Sequence, residues 1–289
     1  MNENIQEINN INFTQKESIE EENLKYIFTP ITDPSHYSNI FKKENFKTLE
    51  KWGLIQNMEL VKFRFNLNFE LKDLDKFLKD LLNDKQVKSN FTPINSVYVD
   101  PEKSQKNPNS NSNSQGLIEN FKFEKLSTRS TNLDIFNTIY DNDICGVDTG
   151  YIKKDFDEYL EGIQISDKLK QALLMEDSEY YCTFSEQIRR EFLFHIFKRI
   201  VIGGSLCQYE DTVFEYLNMT KSFYKDLVSA SKDPNSKEIY IRSTVVEIFE
   251  VEKQDIFKIK NHPQNFFYII IDPYQRCVHL WYHKWVSFW

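Results

Sequence analysis

The most regular signal along the chain is an alternation. Across residues 59–69, Val61, Phe63, Phe65, Leu67 and Phe69 fall on one side, and Lys62, Arg64, Asn66 and Asn68 on the other. A period of two held over this length predicts a half-buried strand. The spacing then becomes helical at Leu71, Leu74, Leu78 and Leu81. Upstream, residues 24–28 read as a strand closed by Thr29-Pro30, and residues 46–52 as a helix with Gly53 as its C-cap.

Further along, Phe121 and Phe123 predict a short strand, followed by a helix over residues 133–140. Ser166 is placed to cap a helix reaching Met175, and Thr183 or Ser185 to cap the next. That next helix carries a wide apolar face of Ile188, Phe192, Leu193, Ile196, Phe197 and Ile200, and Gly203-Gly204 stops it. A helix over residues 211–228 turns Val213, Leu217, Phe223, Tyr224 and Leu227 inward and ends at Asp233-Pro234-Asn235. The carboxyl end reads as β-structure: a strand-rich stretch over 239–251, an apolar strand over 266–271 and its neighbour over 277–282. Asp272-Pro273-Tyr274-Gln275 forms the turn between the last two. Strands at both ends around a helical middle predict one α+β domain over residues 23–289 with a mixed or antiparallel sheet. An acidic leader over residues 1–22 precedes it and is predicted to be disordered, and an Asn/Ser-rich stretch over 100–117 reads as a flexible surface insertion within it.

Composition supports a packed core. Of 289 residues, 40% are hydrophobic and 15% aromatic, which suits one large domain or two small ones. The net charge of -8 argues against nucleic acid or an anionic membrane as the main partner, since phosphate contacts need a basic surface. Neither a signal peptide nor an apolar run near the ~20 residues of a membrane span is present, so a cytosolic compartment is expected. Cys145, Cys182, Cys207 and Cys277 form no Cys-x-x-Cys pair and read as isolated reduced thiols.

The chemical motifs are largely missing. No phosphate loop, dinucleotide fingerprint, H-E-x-x-H or G-x-S-x-G occurs. Asp141-x-Asp143-x-Cys145-Gly146 opens like a calcium loop, but has Cys145 at the fifth position and Ile152 where a bidentate Glu belongs. Cys277, His279, Trp281 and His283 share one strand face and could contribute to a zinc or copper site. Gly203-Gly204-Ser205-Leu206-Cys207 could be a nucleophile turn with Ser205 or Cys207 attacking; it reads more simply as a helix stop and turn. His195, inside an apolar helix, is expected to be a core or rim histidine. Gln208, Tyr209, Glu210 and Asp211 form a polar, aromatic step at a helix start, suited either to the helix dipole or to a protein interface.

The block over residues 173–227 also carries a resemblance. Leu174 with Glu176-Asp177-Ser178-Glu179, the run Arg190-Glu191-Phe192-Leu193-Phe194, the run from Gly203 through Cys207 to Asp211, and Tyr224-Lys225-Asp226-Leu227-Val228 closely resemble the cilia- and flagella-associated protein 300 family. Weaker likeness extends over most of residues 24–282. The resemblance implies a cytoplasmic and ciliary factor needed to build outer and inner axonemal dynein arms. Such a factor works with dynein preassembly factors of the kintoun type, axonemal dynein subunits and the intraflagellar transport machinery. It implies no catalytic residues and no cofactor. The expectation is therefore a non-enzymatic protein whose interface includes Gln208, Tyr209, Glu210 and Asp211. The rival is an enzyme or metal-binding protein using Cys207, or Cys277, His279 and His283.

Overall fold

The computed structural model describes residues 25–93, 117–251, 257 and 262–286. The leader over 1–22 and the insertion over 100–116 lie outside the described residues. The core is a six-stranded sheet of β1 (Phe28–Ile31), β2 (Met58–Phe65), β3 (Phe121–Leu126), β8 (Thr244–Val251), β9 (Phe266–Asp272) and β10 (Cys277–His283). They lie in the order β1-β2-β10-β9-β8-β3, and every neighbouring pair is antiparallel.

The sheet is covered on both faces, which explains the nearly unbroken apolar run of β9. Phe266, Tyr268 and Ile270 enter one core, together with Trp281 of β10. Phe267, Ile269 and Ile271 enter the other. The second core is closed by α2 (Leu74–Asn83), where Leu74, Phe77, Leu78, Leu81 and Leu82 are buried at helical spacing, and by α3 (Lys85–Asn90). Phe63 and Phe65 meet them from β2, and Leu67 and Phe69 continue the same apolar face past the strand's end. Phe77 anchors this layer, with ring centroids 4.9–5.3 Å from Tyr26, Phe28, Phe65 and Phe69 in edge-on geometry.

The first core holds the helical middle: α1 (Lys43–Lys51), α4 (Thr138–Asp141), α5 (Lys168–Leu174), α6 (Glu186–Arg189), α7 (Phe192–Ile202) and α8 (Val213–Leu227). Four local expectations are corrected. First, β1 runs through Thr29-Pro30, because an edge strand does not need the amide that proline lacks. Second, the cap of α5 is Asp167, whose carboxylate accepts from the Lys170 amide; Ser166 sits in β5 (Ile163–Asp167).

Third, the helix expected from Ile188 to Ile200 is two. Ser185 caps α6, and the chain then leaves helical geometry at Glu191. There the Ser127 amide donates to the Arg190 carbonyl, and the Phe192 amide donates to the Ser127 carbonyl. Fourth, Asp233-Pro234-Asn235 does not end α8, which stops at Val228 in extended geometry. It joins β6 (Ala230–Lys232) to β7 (Ile239–Ile241) instead. A hairpin of β4 (Lys154–Leu160) and β5 stands apart from the main sheet and was not foreseen. No helix among the described residues is long and apolar enough to cross a membrane.

Candidate functional site

The run from Gly203 to Asp211 is folded against the end of α1. Helix α7 stops at Gly203, whose φ of +67 needs a residue without a Cβ; any Cβ there would also meet the Cys207 Sγ at 2.5 Å. The Gly204 amide then donates to the Trp52 carbonyl (2.8 Å), and the Gln208 amide to the Lys51 carbonyl (3.0 Å). The last turn of a helix leaves its carbonyls without internal partners. Here the loop supplies two of the missing donors. Trp52, fully buried, packs against Tyr216 of α8 with ring centroids 5.0 Å apart and planes tilted by 38°.

Glu210 locks this arrangement. Its carboxylate accepts from the Trp52 indole Nε1 (2.8 Å) and from Lys51 Nζ (2.7 Å), while its own amide donates to the Tyr216 hydroxyl (2.9 Å). Tyr209 is half-buried. Lys170 Nζ lies 3.5 Å from the centre of its ring and 2.7 Å from Asp167 Oδ2. Lys170 is itself buried, so the Tyr209 ring face and the Asp167 carboxylate together compensate a desolvated cation. Burial raises the Tyr209 hydroxyl well above its ordinary pKa, so it stays neutral. Asp211 is exposed; it pairs with Lys154 Nζ at 3.3 Å, and its carbonyl accepts from the Ile152 amide. Gln208 is exposed, as is Leu206, which takes a positive φ of 60° at the tip of the turn. Of the four interface residues read from the sequence, Tyr209 and Glu210 are thus held by contacts inside the chain. Gln208 and Asp211 present their side chains to solvent.

The nucleophile reading finds little support in this geometry. The Ser205 hydroxyl donates to the Val286 carbonyl (2.9 Å). Burial pushes the Cys207 thiol up to about 12, opposite to the lowered value of an activated cysteine. His195 is turned elsewhere, 3.0 Å from the Tyr268 hydroxyl and 3.4 Å from Glu247 Oε2.

On β10, Cys277, His279, Trp281 and His283 do share one face, but each has its own surroundings. His279 Nδ1 is 3.1 Å from the Tyr37 hydroxyl, His283 Nδ1 is 2.7 Å from the Gln264 carbonyl, and Cys277 Sγ is 3.4 Å from the Gln275 carbonyl. Four residues of extended strand separate the His279 and His283 backbone positions by about 13 Å. Burial lowers His279 to about 3 and His283 to about 4, so both are neutral at pH 7. Among the described residues, no three His, Cys, Asp or Glu side chains converge as metal ligands would. The calcium-like turn is also committed elsewhere, with Asp143 paired to Lys153 and Lys168.

Sequence reading missed one polar cluster. Arg199 donates to Glu247 Oε1 (2.8 Å), the Tyr268 hydroxyl (2.8 Å) and the Pro263 carbonyl (2.7 Å). Burial alone would raise the Glu247 carboxyl; the Arg199 guanidinium and the His195 bond overcome this and hold it at about 2. The available signal was the group His195, Lys198 and Arg199 on an otherwise apolar helix, and the partners of Arg199 lie far along the chain, at Glu247, Pro263 and Tyr268.

Three comparisons bear on identity. The family model for cilia- and flagella-associated protein 300 matches residues 25–283. A Paramecium tetraurelia protein of that name is 35% identical over 267 residues, covering 90% of this chain and 97% of its own. A Chlamydomonas reinhardtii protein of the same name is 29% identical over 269 residues, covering 91% and 99% respectively. No solved structure matches. A family match across the whole described domain, together with relatives aligned nearly end to end, leads to one conclusion: the chain belongs to the cilia- and flagella-associated protein 300 family.

Proposed function

We propose that this protein is a non-enzymatic factor that works in the cytoplasm and cilium to assemble or deliver outer and inner axonemal dynein arms. It does so by binding other proteins, among them dynein preassembly factors of the kintoun type, dynein subunits and the intraflagellar transport machinery. The observation that carries the reading is the family match over residues 25–283. The site geometry is compatible with it. The chain's most distinctive run is spent on capping α1 and burying Trp52, which makes it a framework for presenting a surface. Exposed Leu206, Gln208 and Asp211 form the outer side of that framework.

The test is co-purification from the cytosol of ciliated cells, using the tagged native protein. Dynein heavy chains and a kintoun-type factor should be enriched over an unrelated tagged control. Recovery at control level would remove the partner assignment.

A further inference from the structure

The geometry points to the edge of β3 over Phe123–Lys125, with Lys125, Arg129 and Arg190 beside it, as a docking strip for an acidic, extended segment of a partner protein. Among the described residues β3 ends the main sheet and pairs with β8. Outward backbone groups remain over Phe123–Lys125, while those of Ser127 just beyond are bonded to Arg190 and Phe192. Such an edge is a template for another strand unless it is blocked. A register shift between Lys122 and Phe123 guards one end, while Phe123 to Leu126 keep regular pairing with β8. At the other end the edge is closed at Ser127 by the Arg190–Phe192 backbone, and beside that closure lies a groove of about 650 Å³ between β3 and α6.

Charge decides what the groove accepts. Lys125, Arg129 and Arg190 line it, all three are exposed, and none forms an ion pair with a described residue. The one carboxylate on its wall is Glu186. Glu191, the other acid nearby, is buried and already bonded to the Ser127 hydroxyl (2.5 Å) and the Ser130 amide (3.0 Å). Three uncompensated cations around one carboxylate stand out on a chain of net charge -8. They complement a peptide whose backbone adds to β3 and whose carboxylates reach the groove, the strand-addition mode of recognition. Nucleic acid fits less well, because it has no amide ladder to pair with the edge. The proposal rests on the protein-binding reading above and gives one partner segment its chemistry.

The test uses the purified full-length chain and a fluorescent peptide of about nine residues alternating Glu and Val, long enough to pair along the strand. Arms with a Lys-Val peptide, with the Glu-Val peptide N-methylated at every second residue, and with a single-stranded oligonucleotide separate the sources of affinity. Binding should be saturable for the Glu-Val peptide and at least about tenfold weaker for the Lys-Val and N-methylated forms. It should also fall at least about tenfold in R129E/R190E, whose fold is checked by circular dichroism and melting. Equal binding of the N-methylated peptide, tighter binding of the oligonucleotide, or no loss in R129E/R190E each overturns the proposal. Because no dynein protein is present, failure here leaves the co-purification result standing, and the reverse also holds.

Discussion

Gly53 and Gly204 cross backbone to backbone. A Cβ built on Gly204 would lie inside 3.0 Å of the Gly53 carbonyl oxygen, and one on Gly53 would lie inside 3.0 Å of the Ser205 carbonyl oxygen. Real Cβ atoms do not approach backbone so closely, and neither chain can retreat while the Gly204 amide is bonded to the Trp52 carbonyl. The contact joins the end of α1 to the end of α7. It gives Gly53 and Gly204 a packing reason.

Gly204→Ala should therefore destabilise by about 3 kcal/mol or more, a cost in the range of severe backbone and packing substitutions. Gly162, at φ +82 with no atom within 4 Å of an added Cβ, is the control. Gly162→Ala should cost only about 1 kcal/mol for its left-handed backbone. Thermal melting compares them, and equal losses would refute the crossing as the cause.

Tyr209 and Asp211 should separate cleanly. Tyr209→Ala uncovers the buried Lys170 ammonium and should cost about 2 kcal/mol, whereas Tyr209→Phe keeps the ring face and should stay close to wild type. Asp211→Ala breaks an exposed pair and should cost less than about 1 kcal/mol. A binding defect in Tyr209→Ala would thus be ambiguous. Gln208→Ala and Asp211→Ala report on the surface itself, and denaturant titration of all four variants establishes which is which.

The Arg199–Glu247 pair predicts a specific acid sensitivity. Glu247 has its carboxyl lowered from 4.5 to about 2, so its contribution is fully present above pH 4.5 and is lost as pH falls toward about 2. Glu247→Gln strands a buried guanidinium and should cost about 3 kcal/mol at pH 7. It should also flatten the stability profile between pH 4.5 and about 2. A variant with an unchanged acid limb would show that other carboxylates dominate.

His279 and His283 act at higher pH. Both are lowered from 6.5, to about 3 and about 4 respectively, so the folded state refuses protons that the unfolded chain accepts. Stability should consequently decline as pH drops below 6.5, with each histidine adding a slope of up to about 1.4 kcal/mol per pH unit. His279→Gln should reduce that slope between pH 6 and 4. Urea unfolding at several pH values measures it, and an identical slope in the variant counts against buried neutral histidine.

The parts of the fold legible in the sequence were those written in local periodicity. The alternation leading into Phe63 and Phe65, the helical leucines from Leu74 to Leu81 and the apolar strand before Asp272 all sit where their patterns placed them. The β4–β5 hairpin was not legible, because an irregular register between Lys154 and Glu158 breaks the pairing and four of the seven residues of β4 are charged. The break between α6 and α7 was hidden for a different reason: Ser127, far away in sequence, imposes it. The candidate site divides the same way. Gly203 as a helix stop could be read locally, but the bond from Trp52 to Glu210 spans 158 residues, and no local pattern announces it.

Axonemes purified from cells lacking this protein test the proposed role in building dynein arms most directly. Quantitative mass spectrometry should find outer- and inner-arm dynein heavy chains depleted relative to tubulin, with restoration on re-expression of the full chain. A full complement of both arms in those axonemes would contradict the account.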